Sequence, residues 1–292
     1  MNSIDLQIQT TASDGKHTPS ECVRMAKANG LTTIAITDHD TVAGVAEALA
    51  VGRDCGIRVI PGIEISAEEH HIHILGLGID PEYPPLVAAT ERFARERMEG
   101  AREMVRRLAA DGFAVTWQEV LHEAKGAIIA RPHIVEVILK NPANRERLGG
   151  VATKHDFFER FFQDDSPYYV HRGNIAARDA IRLIHDAGGV AVWSHPPIPD
   201  FVGNCGGLEE FLNNLIAAEI DGLERFGPFL TESDAACLGS LVERYQLLVT
   251  AGADFHEAKP ATGDVWPRSA TTIGEFPTYG QSLDAIIPRL DE

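Results

Sequence analysis

The chain has 292 residues, 44% of them apolar, with 26 basic and 43 acidic side chains and hence a net charge of −17. That length suffices for one barrel-sized domain or two ordinary ones, and no apolar run reaches the 18 residues of a membrane span. So acidic a surface repels a polyphosphate chain and excludes a long nucleic-acid footprint, although bound cations can reverse the sign locally for smaller phosphates.

In chain order, a strand is expected at Ile4–Gln9, followed by a helix over Pro19–Asn29 with Thr18 as N-cap and Pro19 at its first position. A strand at Thr33–Thr37, a helix at Val42–Cys55 and strands at Val59–Glu64 and His71–Leu77 come next. From Pro81 to Tyr168 no strand pattern is found. Helical patterns fill that stretch at Val87–Asp111, Trp117–Lys125, Ile134–Leu139 and His155–Phe162. The α/β rhythm then resumes with a helix at Ala176–Ala187, strands at Val190–Ser194 and Gly222–Glu224, a helix at Ser233–Tyr245 and strands at Leu247–Ala251 and Thr271–Ile273. Such alternation predicts an α/β barrel with a largely parallel sheet. Residues 1–80 and 169–292 would form the barrel, and residues 81–168 a helical insertion, or lid.

Metal-ligand residue types fall at the strand ends. Asp14 sits just beyond the first strand, His39 follows the second, Glu64 closes the third and His73 lies on the fourth. His195 ends the fifth, and Asp254 and His256 follow the seventh. Taken singly, each has an ordinary explanation: a turn, a loop histidine, or a carboxylate near a helix start. Together they coincide with most of the strands, and a closed barrel gathers its C-terminal strand ends on one face. That predicts a multinuclear metal site.

The segments Ile4–Gly15, Thr37–Asp40, Pro61–Ser66, His73–Asp80, Arg131-Pro132-His133, Ser194–Pro196 and Ala253–His256 resemble the polymerase and histidinol phosphatase (PHP) family of metal-dependent phosphoesterases. The likeness runs nearly end to end and is strongest to the branch that hydrolyses nucleotide phosphates and trims short RNA. It implies a distorted seven-stranded barrel with a helical insertion, and two or three divalent ions, Mn, Zn or Fe, with Mg also admissible. One ion would be held by Asp14, His39 and His256, and a second by Glu64, His73 and His195. Glu64 would bridge to a further site completed by Asp254 and two residues of strand one. There the chain departs from the pattern: the family's Asp-Leu-His-x-His reads Asp5-Leu6-Gln7-Ile8-Gln9. A glutamine carbonyl is a weaker donor than imidazole for these metals, so Gln7 and Gln9 are weak or lost ligands.

The resemblance implies hydrolysis of a phosphomonoester or terminal phosphodiester of a nucleotide or short oligonucleotide by metal-activated water, with Glu64 orienting the ions. Arg131 and His133 match insertion residues that reach the substrate phosphate, and Arg172 is a further phosphate candidate. Asp38 would support its neighbouring ligands without binding metal. The alternating Arg and Glu residues of 92–107 read as a solvated helix face, not an RNA site. Two alternatives stay open: a non-catalytic phosphate or nucleotide binder with a damaged site, and an amidohydrolase-type metal hydrolase. The absence of a basic, apolar leader at Met1–Gly15 and the scattered Cys22, Cys55, Cys205 and Cys237, read as small buried hydrophobes, predict a reducing, cytoplasmic setting with no membrane partner.

Overall fold

The computed structural model describes residues 2–69, 72–124, 129, 131–163, 165–170, 175–196, 205–258 and 270–283. Two compact units divide the chain: one takes Met1–Thr90 with most residues from Ile175 onward, the other Glu91–Asn174.

The first unit is built on seven strands: β1 (Ile4–Asp5), β2 (Thr33–Ile36), β3 (Arg58–Ser66), β4 (His73–Leu77), β5 (Val190–Ser194), β6 (Gly222–Phe226) and β7 (Leu248–Ala251), paired in chain order. Beyond β1 the chain continues along β7 and nearly closes the ring: Leu6 N–H donates to Ala251 O at 3.0 Å, Gln9 N–H to Phe255 O at 2.8 Å, and Ile8 bridges Phe255 in parallel. The family's barrel is therefore the observed architecture. Helices α1 (Pro19–Ala28) and α2 (Val45–Cys55) link the early strands, and α3 (Pro84–Ala110) leads away after β4. Thr18 caps α1 as expected, forming a reciprocal capping box with Glu21 ahead of Pro19.

Three features correct the sequence reading. First, β4 runs antiparallel to both β3 and β5. Only residues 67–72 separate β3 from β4, too few for the dozen or more that a parallel crossover requires. Second, Thr271–Ile273 is a bend and turn, not a strand. Its β-branched residues serve to cover the end of strand one. Ile273 is buried, its carbonyl accepts the Asn29 amide at 3.0 Å, and Gly274 turns the chain at φ +84°. Third, Cys205 and Cys237 form a disulfide, so only Cys22 and Cys55 are free and the cysteines no longer argue for a reducing compartment.

In the second unit α4 (Trp117–Ala124), α5 (Arg131–Lys140), the single-turn α6 (Arg145–Leu148) and α7 (Lys154–Phe161) follow most of α3. Phe113, Val120, Ile134, Ile138 and Phe157 are buried at its core. The first unit resumes with α8 (Ala177–Asp186), α9 (Cys205–Ala217) and α10 (Glu232–Tyr245). The sequence reading missed α9, although Leu208, Phe211, Leu212 and Leu215 recur at helical spacing and all are buried. No helix among the described residues is long and apolar enough to cross a membrane.

Candidate metal centre

Strand alternation sorts the first segment cleanly. Ile4, Leu6 and Ile8 enter the apolar core, while Asp5, Gln7 and Gln9 turn to the opposite side and are fully buried as well. Next, the loop carrying Asp14 folds back over this strand: Ser13 and Gly15 both donate backbone N–H groups to Thr10 O at 3.0 Å. Gly15 permits the approach, since a Cβ there would lie 2.4 Å from the Gln9 carbonyl oxygen. Asp38, at the end of β2, ties the loop down by accepting the Thr10 N–H at 2.7 Å, the Thr10 hydroxyl at 2.8 Å and the Ser13 hydroxyl at 2.6 Å. Asp38 thus spends its carboxylate on Thr10 and Ser13, the residues that flank the Asp14 loop.

Three non-glycine residues of this region, Asp40, His195 and Asp254, hold positive φ values of 56°, 29° and 46°. Such backbone costs on the order of 1–3 kcal/mol each and persists where surrounding contacts enforce it. Asp40 shows the enforcement, accepting the Ser66 N–H at 2.8 Å and so joining the chain after β2 to the end of β3.

Glu64 is the hub. Its Oε1 lies 2.9 Å from His73 Nδ1 and 3.0 Å from His195 Nε2, and those two nitrogens are 3.2 Å apart. Its Oε2 lies 3.5 Å from His39 Nδ1. On the other side of His39, His256 Nε2 lies 3.5 Å from Asp14 Oδ1. Two overlapping donor groups result, Asp14–His39–His256 and His39–Glu64–His73, each with its ligand atoms within 4.8 Å of one another. His256 Nδ1 faces the Asp254 carbonyl at 2.8 Å, which assigns the proton to Nδ1 and leaves Nε2 as the lone-pair nitrogen. The reversal of β4 is what brings His73 here, because the start of an antiparallel strand lies beside the ends of its neighbours.

The electrostatics follow from that crowding. Burial works to raise the Glu64 pKa, but the charges of His39 and His73 and hydrogen bonds from His195 and His73 hold it well below the usual carboxylate range. Burial opposes charge on His195, yet Glu64 lifts its pKa to about 9. At His73 burial wins and the pKa falls. At His256 burial again opposes, but Asp254 and Asp14 push the pKa up. Buried nitrogen and oxygen lone pairs this close repel unless a proton or a cation lies between them. The mixed imidazole and carboxylate set fits a divalent metal ion.

The structure thus gathers Asp14, His39, Glu64, His73, His195 and His256. Asp254 lies alongside, its Oδ1 3.8 Å from His256 Nδ1. Gln7 and Gln9 reach Glu64 through their amide nitrogens, at 3.2 and 2.5 Å. Arg131 and His133 belong to α5 of the second unit, where the Arg131 guanidinium lies 5.5 Å from the Phe158 ring centroid and 5.3 Å from that of Tyr169. Arg172 falls outside the described residues, as do His70 and His71.

Two contributors were missed by the sequence reading. Ser194 accepts the Gln7 amide at 2.8 Å and donates to Glu64 Oε1 at 3.2 Å. Glu224, on β6, accepts the His195 N–H at 2.7 Å and so fixes that strained residue. Burial raises the Glu224 pKa well above the usual range, although His195 opposes this. An acidic residue on the one parallel strand lacking an assigned group was the available signal.

Comparison with known proteins places this geometry. The chain is 31% identical to a 3′,5′-nucleoside bisphosphate phosphatase of Chromobacterium violaceum, over 91% of both chains. It is 29% identical to a phosphoribosyl 1,2-cyclic phosphate 1,2-diphosphodiesterase of Eggerthella lenta, over 86% of this chain and 93% of that one. A 5′-3′ exoribonuclease of Salmonella typhimurium is 30% identical over 88% and 86%. Among solved structures, one from Bifidobacterium adolescentis, described as a candidate metal-dependent phosphoesterase, superposes with a TM-score of 0.80 at 29% identity, covering 99% of this chain and 96% of that one. The PHP domain profile matches residues 5–184. By sequence, by fold and by the arrangement of its strand ends, the chain belongs to the PHP domain family.

Proposed function

We propose that this protein is a metal-dependent phosphoesterase that releases phosphate from a phosphomonoester, or cleaves a terminal phosphodiester, of a nucleotide or short oligonucleotide. The observation that carries the reading is the convergence of three imidazoles on the buried carboxylate of Glu64, with Asp14 and His256 joined to it through His39. Asp14, His39 and His256 would hold one divalent ion, and Glu64, His73 and His195 another. Ions so placed supply Lewis-acid activation of water and charge neutralisation for phosphoryl transfer.

The remaining work falls to the chain itself. Asp38 keeps Asp14 and His39 in register through Thr10 and Ser13. The Asp254 carbonyl holds His256 in the tautomer that turns Nε2 toward Asp14, and Glu224 holds His195. Arg131 is assigned to the substrate phosphate, a role for which guanidinium is suited by its paired N–H groups. That assignment rests on the sequence; the guanidinium lies over the rings of Phe158 and Tyr169. His133 is assigned beside it, and Arg172 is retained as a phosphate candidate on sequence grounds. Mn²⁺ is the first ion to try. The formal charge of −17 favours a small substrate over a long polymer.

The test is phosphate release from a 3′,5′-bisphosphorylated nucleotide and from a generic phosphomonoester with added Mn²⁺, with metal counted on the same sample. Metal-dependent release that disappears in His39→Ala supports the reading. Bound ions without turnover of either compound would favour a phosphate-binding protein, and neither ions nor turnover would overturn the assignment.

A further inference from the structure

The two glutamines of strand one are not arranged as ligands. Gln9 Nε2 approaches Glu64 Oε2 at 2.5 Å, and Gln7 Nε2 approaches Glu64 Oε1 at 3.2 Å while also donating to Ser194 Oγ at 2.8 Å. Both amides therefore turn N–H toward the carboxylate. Amide orientation is assigned from hydrogen bonds: Gln9 Oε1 accepts the Ser13 hydroxyl at 3.3 Å, while Gln7 Oε1 is buried without a hydrogen-bond partner among the described residues. Reversing Gln9 would set a carbonyl oxygen 2.5 Å from a carboxylate oxygen. Reversing Gln7 would draw the Ser194 proton away from Glu64, to which it is donated at 3.2 Å. All three groups are fully buried, so no solvent screens the mismatch.

A carboxylate offers about four lone-pair directions. Six groups crowd those of Glu64: Oε1 meets Gln7, Ser194 of β5, His73 and His195, and Oε2 meets Gln9 and His39. A cation between Glu64 and strand one would meet N–H hydrogens from two side chains. We infer that Gln7 and Gln9 are positioning residues that stand in for a cation: their amides donate to Glu64 and orient it, and the centre holds two divalent ions, on the side of His39, His73 and His195, and none against strand one.

This inference rests on the reading of the site as a metal centre and adds to it the number of ions and the place of each. It also gives Asp254 a bounded role. Its Oδ1 has no hydrogen-bond partner among the described residues, so it would complete a set of donors if strand one offered lone pairs in place of N–H groups. Histidine at both positions would do so, and Gln9→Glu would do so with almost no change of shape.

The experiment is metal stoichiometry in the Mn²⁺-saturated protein, by elemental analysis and by anomalous scattering from crystals. Two ions per chain are expected in the wild type, with no anomalous peak between Glu64 and strand one. Three are expected in the Gln7→His/Gln9→His double variant and in Gln9→Glu, the additional peak lying beside residue 9. Three ions in the wild type, or a double variant that folds and still holds two, would overturn the inference while leaving the phosphoesterase reading intact. One ion in the wild type would overturn the inference alone, and no ion together with no turnover would overturn both. The wild-type count needs no variant to fold.

Discussion

The carboxylate of Asp38 accepts the Ser13 hydroxyl at 2.6 Å, which fastens the end of β2 to the loop that presents Asp14. Neither residue is assigned to an ion, yet the two proposed ligands beside them, Asp14 and His39, keep their spacing through this contact and its companions at Thr10. Asp38→Ala is expected to weaken ion binding about 10- to 100-fold, the usual effect of removing a residue that orients ligands. Titration with Mn²⁺, alongside circular dichroism to show a retained fold, checks this. Unchanged affinity would mean the loop holds Asp14 unaided.

A steric prediction concerns Gly252, between β7 and Asp254. A Cβ at that position would lie 2.4 Å from Gln7 Cβ and 2.8 Å from Gln7 N, closer than real Cβ contacts come. Gly252→Ala should push strand one off β7 and cost about 1–3 kcal/mol, the range for overpacking a filled interior. Urea unfolding measures it, and a change below a few tenths of a kcal/mol would count against the close approach.

Asp5 gives a prediction in pH. Complete burial lifts its carboxyl from 3.8 to about 7, against the backbone N–H groups of Ala253, Gly274 and Gln7. A folded state that binds this proton more tightly than the unfolded chain is most favoured below the unfolded value, and the advantage is lost as pH rises through about 7. The contribution is on the order of 4 kcal/mol, from the 1.36 kcal/mol that accompanies each pH unit of displacement. In metal-free protein, Asp5→Asn should flatten the fall of unfolding free energy across that window, whatever it does to stability at one pH. An identical slope in the variant would show that Asp5 is ionised throughout.

The disulfide between Cys205 and Cys237 closes a loop with a sequence separation of 32. Loop-closure entropy assigns such a bridge about 3–4 kcal/mol. Unfolding with and without reductant, and in the Cys205→Ser/Cys237→Ser protein, should show a loss of that order. Equal stability in all three would place the bridge outside the cooperative unit.

Much of this centre was legible before any coordinates. His39, Glu64, His195 and His256 announce themselves because acid and imidazole side chains recur at successive strand ends, and a barrel brings strand ends together. Sequence spacing could not reveal which end of an amide faces Glu64, so Gln7 and Gln9 were weighed as weakened ligands when their nitrogens, not their oxygens, point inward. Chain direction was equally hidden: an apolar run reads the same forwards and backwards, and the reversal of β4 follows only from the shortness of the link before it. Thr271–Ile273 misled because β-branched residues suit any half-buried extended surface. Cys205 and Cys237 carry no spacing that marks a pair, and only the packing of α9 beside α10 brings them together.

The hairpin of β3 and β4 has a consequence for the order in which the molecule assembles. Glu64 and His73 are nine positions apart and meet through adjacent antiparallel strands, whereas strand one finds its second neighbour only when Leu6 reaches Ala251. Loop-closure entropy favours the nearer contact, and a chain emerging from the ribosome completes it long before β7 has been made. The carboxylate–imidazole pair of Glu64 and His73 is thus the part of the centre whose formation needs the least chain. An ion captured at that stage would act as a folding nucleus, and its absence during synthesis would be felt as slow maturation as well as missing activity.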